Sequence, residues 1–192
     1  AWVSRQGTDA EAAPEEFMIA AVEGDDATVA SALRNPLVDP NIVEFVELAE
    51  LEATALVHAA AKGHAAVVRV LLADDRVECN LVDWFGNTAL IRASNEKHTS
   101  VVKLLLADER VDPSIADEHG STAIMAAAEF DASIVATLLA DKRVDPNIAD
   151  ENGETALMIA ALWEHDSVVK LLIADKRVDP NIADKDGWTA LC

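Results

Sequence analysis

A five-residue pattern, Gly-x-Thr-Ala followed by Leu or Ile, occurs four times in this chain at nearly constant spacing. The copies begin at Gly86, Gly120, Gly153 and Gly187, so successive copies are 34, 33 and 34 residues apart. A repeat of this length is one supersecondary unit that cannot bury its own apolar face, so such units stack on one another. The pattern therefore predicts a stack of repeats rather than a domain with one central core.

The same register extends to both sides of each copy. The sequence Val-Asp-Pro-Asn/Ser-Ile-Ala-Asp precedes three copies, at 111–117, 144–150 and 178–184, with diverged versions at 77–83 and 38–42. An alanine-rich stretch follows each copy, and then a run such as Val-Val-Lys-Leu-Leu-Leu at 101–106. This order resembles the ankyrin repeat, in which a hairpin turn precedes two helices. The resemblance implies an all-α solenoid of about five repeats plus a truncated sixth, joined by β-hairpin-like loops.

The repeat register divides the chain into seven segments. They are an N-terminal tail at 1–14, a degenerate first repeat at 15–41, a repeat with an insertion at 42–80, full repeats at 81–114, 115–147 and 148–181, and a truncated repeat at 182–192. The chain starts without Met and ends where a new apolar helix begins, so we expect it to be a fragment of a longer polypeptide.

Several repeated residues have a direct physical role. A threonine precedes each alanine-rich helix, where its hydroxyl can cap an orphan N–H of the first turn. The glycine of each copy is expected to take a positive φ in the turn. The capping threonines are Thr54, Thr88, Thr122, Thr155 and Thr189.

Charge restricts the class of partner. The formal net charge is −20 at pH 7, so phosphate-rich nucleic acid and anionic membranes would be repelled. A protein partner with a neutral or basic surface fits better. No apolar run approaches the roughly 18 residues of a membrane span. The two cysteines, Cys79 and Cys192, are too few for a disulfide framework, which favours a reducing intracellular compartment, cytoplasmic or organellar.

Much of this acidity recurs at the repeat spacing and is expected to be structural, because aspartates in turns bond their own backbone. Arginines at the same spacing could bridge neighbouring carboxylates along the stack. The aspartates form three ladders: Asp74, Asp108, Asp141 and Asp175; Asp39, Asp112, Asp145 and Asp179; and Asp83, Asp117, Asp150 and Asp184. The arginines are Arg76, Arg110, Arg143 and Arg177.

The ankyrin resemblance implies that partners contact the hairpin tips and the exposed ends of the first helices. These positions hold five of the eight Trp and Phe residues of the chain, and exposed aromatics are candidate hot spots for binding. Alternatively, the tip aromatics pack on a neighbouring hairpin, or Trp163 covers its own helix. The tip residues are Trp84, Phe85, Asn87, Glu118, His119, Ser121, Glu151, Asn152, Glu154, Lys185, Asp186 and Trp188, and the helix-end residues are Asn95, Glu96, Glu129, Phe130, Leu162 and Trp163.

One segment departs from the repeat pattern. Residues 43–52 replace the usual glycine turn, and their glutamates and apolar residues both recur every three positions. This spacing predicts a short amphipathic helix. Insertions in repeats often lie on the binding face, so Phe45 is a secondary candidate contact; a tolerated surface insertion is the alternative.

The sequence offers no candidate for catalysis. It contains no zinc, P-loop or nucleophile-elbow motif, so we expect no enzyme activity, cofactor or metal. His64, His98 and His165 share one repeat position and are expected to be scaffold. The chain is interpreted as a non-catalytic protein–protein interaction module that docks a partner protein on the concave ankyrin groove. The alternatives are a permanent subunit of a larger assembly, organellar or otherwise, and the targeting domain of a longer enzyme.

Overall fold

The computed structural model of the protein describes residues 13–46 and 51–191. This part of the chain contains ten α-helices and one two-stranded antiparallel sheet. The elements are α1 Ala13–Glu23, α2 Asp26–Leu33, β1 Glu44–Val46, β2 Leu51–Ala53, α3 Ala55–Ala61, α4 Ala65–Leu72, α5 Ala89–Asn95, α6 Thr99–Leu106, α7 Ala123–Ala128, α8 Ala132–Ala140, α9 Ala156–Leu162 and α10 Asp166–Ala174.

The helices form two stacked rows. The inner row comprises α1, α3, α5, α7 and α9, and the outer row comprises α2, α4, α6, α8 and α10, with each helix packed on its neighbour in the row and on its partner in the pair. Alanines between the inner helices, such as Ala60, Ala93 and Ala127, are fully buried, which allows close helix approach. This confirms the predicted all-α repeat solenoid.

The inner helices begin at the predicted threonines. Thr54, Thr88 and Thr155 each accept a hydrogen bond at Oγ1 from the backbone N–H three residues on. Thr122 takes the same position, but its hydroxyl makes no such bond, and its backbone N–H instead lies 3.5 Å from Met125 Sδ. No α-helix follows Thr189 within the described residues. The cap prediction is therefore confirmed in three repeats.

The hairpins between repeats, called fingers below, are short. Four of them are closed by one antiparallel bridge each, at Val82–Thr88, Ala116–Thr122, Ala149–Thr155 and Ala183–Thr189. An aspartate at the start of each finger accepts the backbone N–H groups two and four residues on, as Asp117 does from His119 and Ser121. This confirms the scaffold role predicted for the ladder of Asp83, Asp117, Asp150 and Asp184.

The helix predicted for residues 43–52 is wrong in the part that the structure describes. Strand β1 pairs with β2, with Phe45 opposite Glu52, so the insertion is a longer finger; residues 47–50 lie outside the described part. Each strand contains only three residues, too few for a spacing of three to define a helical face. Tertiary context favours strands over a helix here, because the segment occupies the finger position of its repeat and β1 packs near α1.

Each repeated arginine links two repeats. Arg143, for example, donates to the Asp141 carboxylate and also to the backbone carbonyls of Leu106 and Val111 in the preceding repeat. Arg76, Arg110 and Arg177 make the equivalent bonds. The predicted bridging between repeats is confirmed, but its acceptors were predicted wrongly. One acceptor is a carbonyl in the last turn of the preceding outer helix, whose final C=O groups need partners, and the other lies five residues further on.

Candidate functional site

The finger tips are held in register by backbone hydrogen bonds. Glu118 N–H donates to Phe85 O at 3.2 Å, Glu151 N–H to His119 O at 2.8 Å, and Lys185 N–H to Asn152 O at 2.9 Å. Gly86 permits this approach, because its φ is +78° and a Cβ there would lie 2.7 Å from Glu118 N. Six of the predicted contact residues therefore stand in one ordered row.

The finger tips lie over the C-terminal ends of the inner helices. Arg92 on α5 lies over the ring of Phe85 at the tip of its own repeat, 5.6 Å from the ring centre. Trp188 on the last finger and Leu162 at the end of α9 line one groove. We call the surface formed by the finger tips and these helix ends the tip face.

Three tryptophans project from the tip face. Trp84 is 76% exposed, Trp163 55% and Trp188 61%. At these exposures, neither a neighbouring finger nor the residue's own helix covers more than about half of any of these side chains. Their large apolar surfaces are available to a partner.

The two phenylalanines differ from the tryptophans, because cations of the chain itself lie over their rings. Besides Arg92 over Phe85, the Nζ atom of Lys97 lies 4.6 Å from the ring centre of Phe130. Phe85 and Phe130 remain about half exposed. The sequence did not single out Arg92 or Lys97, since contacts between a tip and a helix, or between repeats, leave no mark in local spacing.

The prediction that Asn87 is an exposed finger-tip residue is wrong. Asn87 is only 6% exposed, because its amide hydrogen bonds to the buried carboxylate of Asp83. Asp83 also pairs with Arg92. Asn87 therefore belongs to the interior of its finger and is not available to a partner.

An acidic stretch runs along the middle of the tip row. His119 Nδ1 lies 3.3 Å from Glu151 Oε1, and His119 Nε2 lies 3.7 Å from Glu118 Oε1. All three side chains are largely exposed. Asn152 and Lys185 are also exposed on the tip row. Phe45 lies in β1, and the described part of the structure does not include its side chain.

The groove beside Trp188 is about 550 Å³ in volume. Its apolar lining includes Met158, Ala161 and Leu162 of α9, and its polar lining includes Glu154, Glu164 and Asp184. The pKa of Glu154 is raised, mainly because partial burial removes water from its carboxylate and also because Asp150 and Asp184 lie nearby. The sequence marked Glu154, Leu162 and Trp188 singly but did not show that they share a groove.

The histidines at the start of the outer helices are scaffold where the structure describes their bonds. His64 Nε2 lies 2.9 Å from Val22 O and His98 Nε2 lies 3.1 Å from Ala61 O, each joining two repeats. Across residues 13–46 and 51–191, no cluster of His, Cys, Asp and Glu has the arrangement of a metal site. None of the described helices is long and apolar enough to span a membrane.

Comparison with known families agrees with this architecture. The family model for ankyrin repeats, which spans three copies, matches residues 17–117 and 94–184. The chain belongs to the ankyrin-repeat family. Repeats of this family are generally protein–protein interaction modules and are typically non-catalytic. A search of curated proteins found no match.

Proposed function

We propose that this chain is a non-catalytic interaction module that docks a partner protein on its tip face. The observation that carries the proposal is the exposure of Trp84, Trp163 and Trp188 on that face. Tryptophan is enriched among the residues that dominate binding energy at protein interfaces. Hydrogen bonds between the fingers support the proposal, because a surface that is already ordered loses little entropy on binding.

Charge supports a protein partner with a neutral or basic docking surface. The chain carries a net charge of −20, and Glu118, Glu151 and Glu154 lie on the same tip face as the exposed tryptophans. Such a field speeds encounter with a cationic partner and disfavours anionic competitors. Nucleic acid and anionic lipid are the competitors that it disfavours most.

The test is crosslinking mass spectrometry with the purified chain added to an extract of its source. Docking on the tip face predicts that one partner chain links through Lys185 and Lys62. The double variant Trp84→Ala/Trp163→Ala should weaken its capture by at least about tenfold, with unchanged helicity. Leu37→Ala is the matched control, because Leu37 is an exposed apolar residue after the outer helix α2.

Two outcomes would contradict the proposal. If the double variant captures the partner as well as the unmodified chain does, Trp84 and Trp163 do not contribute to binding. Links to several chains through Lys103 and Lys170 on the outer helices would instead favour a permanent subunit of a larger assembly.

A further inference from the structure

Asn152, at the tip of the finger in the repeat at 148–181, is the one asparagine of the sequence that precedes a glycine. An Asn-Gly pair is especially prone to deamidation, because glycine has no Cβ to hinder the approach of its backbone nitrogen to the carboxamide. Asn152 is exposed, and among the described residues its carboxamide makes no hydrogen bond. The carboxamide is therefore accessible to water and free to react.

The reaction requires only water as a second reactant. The backbone nitrogen of Gly153 loses its proton to solvent and attacks Asn152 Cγ, so that an N–Cγ bond forms. The Cγ–Nδ2 bond then breaks, and Nδ2 takes up protons and leaves as ammonia, which gives a cyclic imide. Water opens the imide at Cγ to give aspartate, or at the main-chain carbonyl carbon to give isoaspartate. No atom is oxidised or reduced.

The folded finger holds the reacting peptide group at both ends. Gly153 N–H donates to Asp150 O at 3.0 Å, and Asn152 O accepts from Lys185 N–H on the next finger at 2.9 Å. The attack requires Gly153 N to give up its hydrogen bond together with its proton and to turn toward Asn152 Cγ. Space is also short, because a Cβ at Gly153 would lie 2.9 Å from Asp184 Cα. The closed finger therefore opposes the reaction.

The carboxylate of Asp150 keeps this finger closed. Its Oδ1 atom accepts the backbone N–H groups of Asn152 and Glu154, both at 2.8 Å. The free energy of breaking such local bonds determines how often an exposed loop is open. We propose that Asn152 is a deamidation site, and that the opening of this finger sets the rate of the reaction.

Deamidation changes the tip row in charge and in geometry. Either product places a new carboxylate between Glu151 and Glu154. Isoaspartate also lengthens the main chain by a carbon atom, and the carbonyl that accepts from Lys185 N–H becomes a free carboxylate outside the peptide group. The reaction itself does not depend on the proposed function, since it needs no partner protein.

The test is incubation of the folded chain in mildly alkaline buffer, with peptide mass spectrometry to follow deamidation at Asn152 over time. A synthetic peptide of residues 149–157 gives the rate without a folded finger, and it should react at least about tenfold faster than the folded chain. Asn152→Gln should suppress the reaction, because glutamine forms the corresponding larger ring far more slowly. Equal rates for the peptide and the folded chain would overturn control by the finger.

The first pair of variants separates opening of this finger from unfolding of the whole chain. Asp150→Ala removes the carboxylate that closes the finger and should speed deamidation about fivefold or more. Asp117→Ala is the matched control, because it removes the equivalent bonds of the neighbouring finger, and it should leave the rate nearly unchanged. Equal acceleration by both variants would mean that unfolding of several repeats controls the reaction, and the proposal would be wrong.

A second pair acts through the next finger and leaves the reacting finger unchanged in sequence. Lys185→Pro removes the N–H that holds Asn152 O, at a turn position that favours proline, and should speed the reaction about threefold or more. Lys185→Ala keeps the N–H and should have no effect. If neither Asp150→Ala nor Lys185→Pro is deamidated at Asn152, the residue is not a deamidation site. Circular dichroism of each variant checks that the helices are retained.

Discussion

In four of the five described helix pairs, the turn between the inner and the outer helix contains one residue with a positive φ. Gly24 and Gly63 fill this position in the first two helix pairs, with φ of 85° and 76°. Lys97 and Glu164 fill it later in the chain, with φ of 63° and 57°. An L-residue pays roughly 1–2 kcal/mol for this conformation. The fold tolerates this local cost because the surrounding repeat packing fixes the turn.

Replacing Glu164 by Gly should therefore stabilise the protein. The relief of strain is partly offset by the greater chain entropy of glycine in the unfolded state, which leaves a gain of about 0.5–1 kcal/mol. The measurement is the midpoint of urea unfolding. Glu129→Gly is the matched control, because Glu129 has φ of −70° at the end of α7 and should gain nothing. A lower midpoint for Glu164→Gly would show that the side chain, not the backbone, determines stability there.

Among the described residues, the contact between the repeats at 81–114 and 115–147 lacks two side-chain hydrogen bonds that join other neighbouring repeats. Elsewhere an asparagine side chain joins two repeats. Asn80 donates to Arg110 O and accepts from the Asp112 N–H. Asn147 donates to Arg177 O and accepts from the Asp179 N–H in the same way. Ser114 stands at this position and bonds Asp112 in its own repeat. Asp131 replaces the histidine that joins repeats at His64 and His98, and it caps α8 instead.

Ser114→Asn should restore the missing link to Arg143 O and the Asp145 N–H. We expect a gain of about 1 kcal/mol, measured by chemical unfolding. Amide hydrogen exchange should also slow in α7 and α8, because exchange reports local opening. Asn147→Ser is the reciprocal control and should lose a similar amount. If Ser114→Asn leaves both quantities unchanged, the asparagine bridges do not contribute to cohesion between repeats.

Whole-molecule stability should depend on pH through the ladder of Asp74, Asp108, Asp141 and Asp175. Hydrogen bonds from the partner arginine are the main cause that lowers the pKa of each carboxyl below its ordinary value of 3.8. A lowered folded-state pKa means that the unfolded chain binds protons more readily. The stabilisation is therefore complete above the unfolded-state pKa and is lost as pH falls through the folded-state pKa.

Arg143→Lys tests this dependence at one rung of the ladder. The ammonium group of lysine cannot form a bidentate ion pair with a carboxylate and also donate hydrogen bonds to two carbonyls. The variant should therefore be less stable at neutral pH. The difference from the unmodified chain should shrink as pH falls from about 3.8 through the lowered pKa of Asp141 in the unmodified chain, because Asp141 is protonated in both chains below that pKa. It should not vanish, because the bonds to Leu106 O and Val111 O do not titrate. Urea unfolding across this pH range measures it, and a difference independent of pH would contradict the role assigned to Asp141.

The sequence was sufficient to predict the features that depend on contacts within one repeat. The helix order, the caps at Thr54, Thr88 and Thr155, and the turn glycines all follow from residues a few positions apart. The exposure of Trp84, Trp163 and Trp188 was also predictable, because the ankyrin resemblance assigns these residues to finger tips and helix ends, outside the helix–helix contacts. Asn87 was misassigned because its burial depends on Asp83 and Arg92, which come together only when the finger folds onto α5.

The sequence by itself determined, through its repeat period, that this chain is a solenoid. Through the ankyrin resemblance it also indicated which aromatic residues lie at finger tips and helix ends. Contacts within one repeat are sufficient for these predictions, since equivalent residues make equivalent contacts in every repeat. Only the tertiary structure decided that the arginines bond carbonyls of the preceding repeat, that residues 44–46 and 51–53 are strands, and that Glu154 and Trp188 line one groove. These features depend on distances between repeats, and such distances are set by packing rather than by spacing along the chain.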